Sequence, residues 1–285
     1  MMVVFDGKKL AAKKEKVLAK KVAEFKKRTG ITPKLVAIMV GEDSASKIYL
    51  RQKAAAAKRV GIEFEKIELI KLTKPAELIE LIKEKNEDKK VQGIMIQLPL
   101  PKNCPIADYE LRILETIIPT KDIDCLTPQN LGLLAMGAPR FLPATVKAIL
   151  EIIKLSNYQI ANLKGIKVCV VGASNIVGKP LALHLSNLGA TVTICRRKTK
   201  NLAEFTSQAD LLISATGVPK LIKKEMVKKG AVVIDVGSPV GDVDPLAAVR
   251  ASFITPVPGG VGPLTVVSLL ENLFEAALAF EGFPC

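Results

Sequence analysis

Histidine is almost absent from this chain, which has a single such residue, His184, among 285. Any catalytic pair of histidine with serine or cysteine must therefore use that residue. His184 follows Pro180 in a helical pattern, so an ordinary helix position is the favoured interpretation. Acid–base chemistry would then fall to Lys, Tyr, Asp or Glu.

Cysteines are few, and long apolar runs are absent. The five cysteines are an odd number, lie far apart and include no Cys-x-x-Cys pair. A disulfide framework and a zinc site are both disfavoured, and we expect no bound metal. No uninterrupted apolar run approaches the ~18–20 residues that cross a bilayer, and the lysine-rich start is unlike an export signal. These absences predict a cytoplasmic protein that does not contact a membrane.

Tryptophan is also absent and aromatic residues make up only 4% of the chain, although Lys and Arg exceed Asp and Glu by 14. The excess is shared: 27 basic and 18 acidic residues precede Thr145, and 15 and 10 follow from there. Nucleic-acid binding would suit the charge, but few side chains are available to stack on bases, so that class is disfavoured. The charge equally suits steering of an anionic small substrate.

Short apolar runs alternate with helical patterns, which predicts βαβ units and parallel sheets. Strands are predicted at residues 35–40, 91–98, 168–171, 191–195, 211–215 and 232–236. Glycine and proline at 136–143 separate two such series. We predict a two-domain α/β fold with a cleft between the domains: a catalytic lobe at 1–144 plus 264–285, and a Rossmann-like, doubly wound parallel sheet at 145–263.

A strand, a tight glycine turn and a helix start follow one another at Lys167–Pro180. Backbone amides at such a helix start bind pyrophosphate. The spacing is Gly-x-Ser-x-x-x-Gly, unlike the usual Gly-x-Gly-x-x-Gly, and a plain strand–helix turn is the alternative. We predict that this turn binds a dinucleotide through Gly172, Ala173, Ser174, Val177 and Gly178.

The next predicted strand ends in Arg196 and Arg197, about 20 residues further on, where an NAD site carries Asp or Glu. Two guanidinium groups suit a 2′-phosphate, so NADP is favoured over NAD. Two arginines that simply face solvent are the alternative. Small residues at the ends of the following two strands are further predicted cofactor contacts: Thr216, Gly217, Gly237 and Ser238.

Candidate catalytic side chains precede the glycine turn. Tyr49 and Lys53 lie four residues apart, on one helix face, and can act as acid and base, although a solvated lysine beside a half-buried tyrosine is equally compatible. Short-chain dehydrogenases share the Tyr-x-x-x-Lys spacing, but there it follows the nucleotide turn, so that family is disfavoured. Gln97 ends a buried strand, where a glutamine faces a ligand crevice. Asp124 can accept paired hydrogen bonds from an aminopyrimidine, or act as the carboxylate that caps a turn or a helix.

A run of glycine and proline at Thr255–Thr265 leads into the last predicted helix. Its glycines would let the backbone approach a flat ring closely. A plain interdomain connector is the alternative.

Five motifs together identify a resemblance: Tyr49-x-x-x-Lys53, residues 91–101, Lys121-Asp-Ile-Asp124, residues 174–180 and Thr255–Pro263. Over essentially its whole length the chain resembles the bifunctional methylenetetrahydrofolate dehydrogenase/methenyltetrahydrofolate cyclohydrolases, the FolD family. The resemblance implies oxidation of 5,10-methylenetetrahydrofolate by NADP⁺ to the 5,10-methenyl cation, followed by hydrolysis to 10-formyltetrahydrofolate. It also implies a homodimer that acts on tetrahydrofolate derivatives, including polyglutamylated ones, in one-carbon metabolism and purine biosynthesis.

The same resemblance implies residue roles. Lys53 is the general acid/base of the cyclohydrolase step, Gln97 tunes its ammonium group, Tyr49 stacks on the substrate and Asp124 anchors the pterin. A lysine acts as a base near neutral pH only if burial or a neighbour lowers its pKa. The remaining implied substrate contacts are Ile96, Leu98, Pro258, Gly259 and Gly260.

Several positions depart from the family pattern. Cys125 stands where a glycine follows the aspartate, and Ala173 replaces an arginine after Gly172. Pro-Ala-Thr-Val at residues 143–146 replaces Pro-Cys-Thr-Pro, and the Arg196–Arg197 pair replaces His-Ser. We expect the arginine pair to take over the 2′-phosphate contacts.

The departures leave alternative functions open. One is a dehydrogenase or a cyclohydrolase alone, and another is a relative that acts on a different reduced pterin carrier. The presence of Lys53 and Gln97 favours cyclohydrolase activity. The alternative from another class is a basic nucleic-acid-binding protein with a vestigial nucleotide fold.

Overall fold

The computed structural model describes residues 3–101, 104–156 and 163–283. The chain divides into two compact units, which we name by their sheets. The three-stranded unit comprises Ala12–Gly132, Arg140–Ala144 and Val266–Cys285. The six-stranded unit comprises Met1–Ala11, Leu133–Pro139 and Thr145–Thr265.

The sheet of the three-stranded unit is parallel, with strand order β3-β2-β4. Its strands are β2 (Lys34–Val40), β3 (Glu63–Leu69) and β4 (Gly93–Ile96). The central strand β2 is an unbroken apolar run after Lys34, because both its edges pair and both its faces are covered. The edge strand β3 mixes charged and apolar residues without regular alternation, since Phe64 lies on the opposite face from Ile67 and Leu69, and none of its residues is fully buried.

One helix of this unit, α2 (Ser44–Val60), carries two of the predicted catalytic residues, Tyr49 and Lys53. Helix α2 begins where Asp43 accepts a hydrogen bond from the Ser46 N–H at 2.7 Å, and it ends at Gly61, whose φ is 80°. The other helices in the first half of the chain are α1 (Gly7–Thr29), α3 (Pro75–Glu87), α4 (Glu110–Thr116) and α5 (Pro128–Ala135), with a short 3₁₀ turn at Ala107–Tyr109.

The last helix, α10 (Val261–Phe280), is long and apolar enough to cross a membrane by length and composition alone. In its most apolar stretch 61% is buried within the protein, as in the core helix of a folded unit. Asn272 is a buried polar residue of this helix, and its Nδ2 donates to the carbonyls of Ile123 and Leu142 at 2.8 Å each. The helix therefore holds the chain on the N-terminal side of Asp124.

The six-stranded unit contains a parallel sheet of order β1-β9-β8-β7-β5-β6. The order reverses between β5 and β7, which makes the sheet doubly wound, and ligands bind such sheets beyond the carboxyl ends of the strands at that point. Its strands are β1 (Val3–Val4), β5 (Lys167–Val171), β6 (Thr191–Cys195), β7 (Leu211–Ser214), β8 (Val232–Asp235) and β9 (Phe253–Ile254). Its helices are α6 (Ala144–Leu155), α7 (Gly178–Asn187), α8 (Leu202–Thr206) and α9 (Pro245–Ala248), with a 3₁₀ turn at Lys224–Met226.

The prediction of an α/β fold with parallel sheets is confirmed, and all six predicted strands are present. One strand is shorter than predicted, since β4 covers only residues 93–96 of the predicted 91–98. Before it, the Gln92 side chain accepts from the Lys34 N–H at 2.9 Å; after it, the chain turns toward Pro99. Strand β3 was not predicted, because its four charged residues interrupt any apolar pattern, and neither were the two-residue strands β1 and β9.

Lys121 links helix α3 to the segment that precedes Asp124. Its side chain is only 4% exposed, and its ammonium group donates to the carbonyls of Lys85, Asn86 and Asp88 at 3.0, 2.7 and 2.7 Å. These carbonyls lie at the end of α3, where helical hydrogen bonding leaves acceptors unsatisfied. The Lys121 carbonyl in turn accepts from the Ile94 N–H on β4 at 2.8 Å.

We predict that Lys121→Met destabilises the protein by about 2 kcal/mol, because the methionine keeps the length of the side chain but leaves the three carbonyls without this donor. The matched control is Lys83→Met on the exposed face of the same helix, where the lysine only pairs with Glu80. That change should cost about 0–0.5 kcal/mol. Urea denaturation followed by circular dichroism measures both, and equal costs would contradict the capping role.

Candidate active site

The Lys53 amine is buried in the three-stranded unit. The residue lies on helix α2 and is only 9% exposed. Its Nζ donates to the side-chain oxygen of Gln97 at 3.1 Å and lies 3.7 Å from the sulfur of Met95. One neutral acceptor and one soft sulfur are poor substitutes for water around an ammonium ion.

Gln97 is held so that its oxygen faces Lys53. The residue directly follows β4, and its backbone N–H extends the pairing with β2 by donating to the Ile38 carbonyl at 2.8 Å. Its side-chain amide donates to the Leu98 carbonyl at 2.9 Å, which leaves the side-chain oxygen to accept from the lysine. The glutamine was expected at a strand end facing a crevice, and the structure places it beside the predicted catalytic lysine.

Asp124 completes a titratable pair with Lys53. Burial lowers the pKa of Lys53, and the charge of Asp124 opposes that shift. Burial raises the pKa of Asp124 and the Asp122 charge adds to the rise, whereas the Lys53 charge and a hydrogen bond from the Ala144 backbone oppose it. Each group is therefore shifted toward its neutral form, which favours proton transfer near neutral pH.

The turn that carries Asp124 is organised by Asp122. The buried Asp122 carboxylate accepts from the backbone N–H groups of Leu126 and Thr127 at 3.0 and 2.9 Å, and from Nδ2 of Asn130 at 2.9 Å. Asp122 caps this turn. Asp124 itself accepts a hydrogen bond from the backbone of Ala144, where helix α6 begins, so the structure is compatible with both roles considered for Asp124. Sequence reasoning missed Asp122 as a functional neighbour, although it lies in the same Lys-Asp-Ile-Asp motif.

Cys125 adopts the backbone conformation that favours glycine. Its φ is 55°, in the left-handed region, and its side chain is fully buried. The resemblance implies a glycine here, and this chain carries a side chain at a position that is strained for one. Burial also raises the pKa of the Cys125 thiol well above its ordinary range. This thiol therefore stays protonated and packs as a small apolar group.

The other predicted substrate contacts are distributed over both units. Tyr49 is partly exposed on α2, one helical turn before Lys53, and Leu98 is partly exposed after Gln97. Ile96 is 2% exposed, so its side chain belongs to the core. Pro258, Gly259 and Gly260 belong to the six-stranded unit, where a side-chain carbon on Gly7 of helix α1 would lie 1.9 Å from the Gly260 carbonyl oxygen.

The glycine turn of the six-stranded unit leaves no room for a side chain at Gly172 or Gly178. Gly172 directly follows β5 with φ 115°, and a side-chain carbon there would lie 2.3 Å from the Ala215 carbonyl oxygen. A side-chain carbon on Gly178 would lie 2.0 Å from the Gly172 carbonyl oxygen. Helix α7 begins at Gly178, and the preceding turn is closed by the Val177 N–H, which donates to the Ser174 hydroxyl at 3.1 Å. The structure thus forms the strand–turn–helix predicted to bind a dinucleotide.

Arg196 and Arg197 follow β6 beside this turn. The Gly172 N–H donates to the Cys195 carbonyl at 3.0 Å, which brings the end of β6 against the glycine turn. A turn then forms in which the Arg196 N–H donates to the Thr199 hydroxyl at 2.8 Å and the Thr199 N–H returns to the Arg196 carbonyl at 2.9 Å. Both arginines are exposed, so their guanidinium groups are available to an anion.

The remaining predicted cofactor residues lie at the ends of β7 and β8. Gly217 has φ 67° and open space where a side chain would be. Thr216 is bonded to Asp242, and the Gly237 N–H donates to the Asp235 carboxylate at 2.9 Å. Sequence reasoning missed both buried aspartates. The signal was available for Asp235, because a carboxylate at the end of a short apolar strand needs donors from the loop beyond.

These features define a two-unit α/β protein in which one unit carries a buried lysine–glutamine–aspartate group. The other unit has the strand–glycine turn–helix and the cationic turn that fit the pyrophosphate and 2′-phosphate of a dinucleotide. Both lie beyond the carboxyl ends of parallel strands, where α/β proteins bind ligands.

The chain belongs to the tetrahydrofolate dehydrogenase/cyclohydrolase family. The family model for its catalytic domain matches residues 5–124, and the model for its NAD(P)-binding domain matches residues 143–281. The resemblance identified from the motifs is thereby confirmed.

Individual relatives agree over nearly the full chain. A protein named bifunctional protein FolD from Exiguobacterium sibiricum is 47% identical over 97% of this chain and 100% of its own length. The bifunctional FolD methylenetetrahydrofolate dehydrogenase/cyclohydrolase of Campylobacter jejuni is 41% identical with a TM-score of 0.91, covering 98% and 99% of the two chains. The Trypanosoma brucei FolD structure with NADP and an inhibitor is 36% identical with a TM-score of 0.91, covering 99% and 98%.

We predict that the pKa of Lys53 responds in opposite directions to two substitutions. Asp124→Asn should lower it further, because the charge that supports the ammonium is removed. Gln97→Glu should raise it, because a carboxylate replaces a neutral acceptor. NMR titration of the ¹⁵N-labelled lysine side chains measures both shifts.

The control for this titration is Asp43→Asn at the start of the same helix. Asparagine caps a helix as well as aspartate does, so the fold and the Lys53 titration should both be unchanged. Shifts of the same sign in the two site variants would contradict the electrostatic account.

Proposed function

We propose that the protein is a bifunctional enzyme of folate one-carbon metabolism. It oxidises 5,10-methylenetetrahydrofolate with NADP⁺ and hydrolyses the resulting 5,10-methenyl cation to 10-formyltetrahydrofolate. The observation that carries the proposal is the buried Lys53 amine, bonded to Gln97 at 3.1 Å and electrostatically coupled to Asp124, in a chain of this family. The relatives named as bifunctional over their whole length support both activities.

In the hydrolytic step Lys53 acts as general base and then as general acid. Its lowered pKa increases the fraction of neutral amine, which takes a proton as water adds to the carbon of the methenyl bridge. The resulting ammonium, bonded to Gln97, returns a proton to the ring nitrogen as the C–N bond breaks, and the hydroxyl proton of the hydrated intermediate leaves to water as the formyl C=O bond forms. Burial keeps bulk water from competing with Lys53 for these protons.

The other residues of the three-stranded unit bind and orient the substrate. Asp124 binds the aminopyrimidine edge of the pterin, and the backbone bonds made by Asp122 fix the turn on which it lies. Tyr49 stacks on the substrate from the same helix face as Lys53. We place Ile96 among the contacts through its backbone alone, because its side chain is buried.

The six-stranded unit binds the cofactor, which when bound accepts a hydride from the folate methylene group. Gly172, Ala173, Ser174, Val177 and Gly178 form the turn for the pyrophosphate, and Arg196 and Arg197 bind the 2′-phosphate in place of the arginine that Ala173 replaces. Thr216, Gly217, Gly237 and Ser238 line the strand ends beneath it. Pro258, Gly259 and Gly260 complete the substrate contacts, where glycine allows close approach of the backbone.

We further propose that the enzyme is a cytoplasmic homodimer and takes polyglutamylated folates. The 14 excess positive charges favour encounter with polyanionic tails. The folate-binding catalytic lobe is proposed to comprise residues 1–144 and 264–285, and the NADP-binding domain residues 145–263.

We predict that Lys53→Met abolishes hydrolysis and preserves oxidation. With methylenetetrahydrofolate and NADP⁺, the wild-type enzyme should form the methenyl cation and then consume it, both seen by absorbance. The variant should lose at least about 100-fold in the second step, since it lacks the base, while the first step changes far less. Lys58→Met, on an exposed position of the same helix, serves as the control. A variant that hydrolyses the methenyl cation at the wild-type rate would remove Lys53 from the mechanism.

We predict that Arg197→Glu reverses much of the preference for NADP⁺. The substitution removes a guanidinium from the exposed turn and places a carboxylate near the 2′-phosphate, so the ratio of kcat/KM for NADP⁺ over NAD⁺ should fall by about 100-fold. Lys224→Glu makes the same kind of charge reversal on an exposed 3₁₀ turn of the same unit and should leave the ratio unchanged. An unchanged ratio in the Arg197 variant would show that other residues select the cofactor.

A further inference from the structure

Two carboxylates are buried in the six-stranded unit, which does not contain Lys53. Asp235 ends strand β8 and is 4% exposed, and Asp242 lies in the loop that follows and is fully buried. Neither was selected from sequence, and neither belongs to the catalytic group around Lys53. Buried carboxylates are rare unless donors surround them, so both need a structural or functional reason.

Asp242 bonds the end of strand β7. Its Oδ2 accepts from the Ser214 hydroxyl at 2.8 Å, from the Thr216 N–H at 2.7 Å and from the Thr216 hydroxyl at 2.8 Å. Three donors on one carboxylate oxygen make strong, charge-assisted hydrogen bonds. Thr216 and the following Gly217 are residues that we assign to the cofactor.

Asp235 bonds the loop after β8. Its Oδ1 accepts from the N–H groups of Gly237 and Asp242 at 2.9 and 3.0 Å, and its Oδ2 accepts from the Val243 N–H at 2.9 Å. The loop is thereby wound around the carboxylate and carries Asp242 to the end of β7. Gly237 is required for this path, because a side-chain carbon there would lie 2.7 Å from Oδ1 of Asp242.

Asp235 also connects to the segment that leads into helix α10. Its backbone N–H donates to the Thr255 hydroxyl at 2.7 Å, and that hydroxyl lies 3.2 Å from the Asp235 carbonyl oxygen. The two aspartates thus link three segments of one unit: residues 214–217, 237–243 and the start of Thr255–Thr265.

The arrangement has an electrostatic cost. Burial raises the pKa of Asp235 and the charge of Asp242 adds to the rise, against the three backbone hydrogen bonds that lower it. Oδ1 of Asp242 is buried without a hydrogen-bond partner in the part of the chain that the structure describes. An interaction kept at this cost points to a need for fixed loop geometry.

We propose that Asp242, held by Asp235, is a positioning residue of the NADP site that fixes Thr216 and Gly217 relative to Gly237 and Ser238. The inference deepens the proposed function and rests on it, because those four residues are assigned to the cofactor. Asp242 is fully buried and acts through Thr216 rather than by touching the cofactor. Its loss should therefore weaken NADP binding without affecting hydrolysis, which uses Lys53 in the other unit.

The test is Asp242→Asn, which keeps the size of the side chain and removes its charge. We expect the Kd for NADPH, measured by isothermal titration calorimetry, and the KM for NADP⁺ to rise about tenfold or more, because bonds to a neutral amide are weaker than bonds to a carboxylate. Hydrolysis of methenyltetrahydrofolate without NADP should stay within about twofold of wild type. This difference between the two activities separates positioning of the cofactor loops from a general loss of structure.

A second variant changes a donor of the same hydrogen bond instead of Asp242 itself. Ser214→Ala removes one of the three donors to Asp242, and Ser214 has no assigned cofactor contact, so a severalfold rise in Kd is expected. If Asp242→Asn fails to fold, this variant still decides the question. In the double variant the two effects should not multiply, because both changes disrupt one network.

The matched control is Asp244→Asn, two residues along the same loop. Asp244 begins helix α9 and pairs with Lys223, and asparagine caps equally well, so the Kd for NADPH should not change. A wild-type protein that fails to bind NADPH would overturn the proposed function, and this inference with it. Wild-type binding with a Kd for both Asp242→Asn and Ser214→Ala within twofold of wild type would overturn the inference alone. Parallel losses of NADPH binding, hydrolysis and melting temperature in Ser214→Ala would also overturn it, because they would indicate a purely structural role.

Discussion

The 3.1 Å hydrogen bond between the Lys53 amine and the Gln97 side chain joins helix α2 to the end of strand β4. A buried amine must be met by an acceptor, and this requirement constrains both elements at once. Helix α2 must direct Lys53 inward, next to the end of β4. Strand β4 must end at Ile96 so that the side chain of Gln97 can turn toward the lysine. The pairing of β4 with β2 continues one residue past the strand, to the Gln97 N–H, and so sets that level.

A second constraint recurs in both units, where buried aspartates bind the backbone of a loop. Asp122 accepts two backbone N–H groups and an asparagine side chain, and Asp235 accepts three backbone N–H groups. In each case the loop wound around the carboxylate carries another carboxylate, Asp124 in one unit and Asp242 in the other. Loops built this way have few alternative conformations, because any change would leave a buried charge without donors.

Much of this architecture was predictable because it depends on local patterns. The apolar runs of β2, β5, β7 and β8 identify buried parallel strands, and the glycine turn after β5 needs its glycines for steric reasons that act within one short segment. Tyr49 and Lys53 share a helix face by spacing alone. The edge strand β3 was not predicted, because an exposed edge tolerates Glu and Lys and its composition therefore does not resemble that of a buried strand.

The contacts that connect distant segments were not predictable in the same way. Lys121 reaches the end of α3 across more than thirty positions, and Asp242 reaches Ser214 across 28. No periodicity encodes which carbonyl or hydroxyl a buried charge will meet, since the partner is selected by the packing of whole elements. Local patterns therefore selected Lys53, Gln97 and Asp124, and the family resemblance supplied their roles, whereas the aspartates that hold the loops emerged only from the structure.

Cys125 shows how a departure from the family pattern is accommodated. A glycine at φ 55° would carry no strain, whereas the cysteine adds a side chain that is fully buried. Burying this small, protonated thiol recovers part of that cost through packing. The Cys125 N–H donates to the Asp122 carbonyl at 3.2 Å, so the strained residue is held by the same aspartate whose carboxylate organises the turn. The turn therefore keeps Asp124 in place with a side chain at the glycine position, because its geometry is set by Asp122 and its neighbours rather than by the freedom of a glycine.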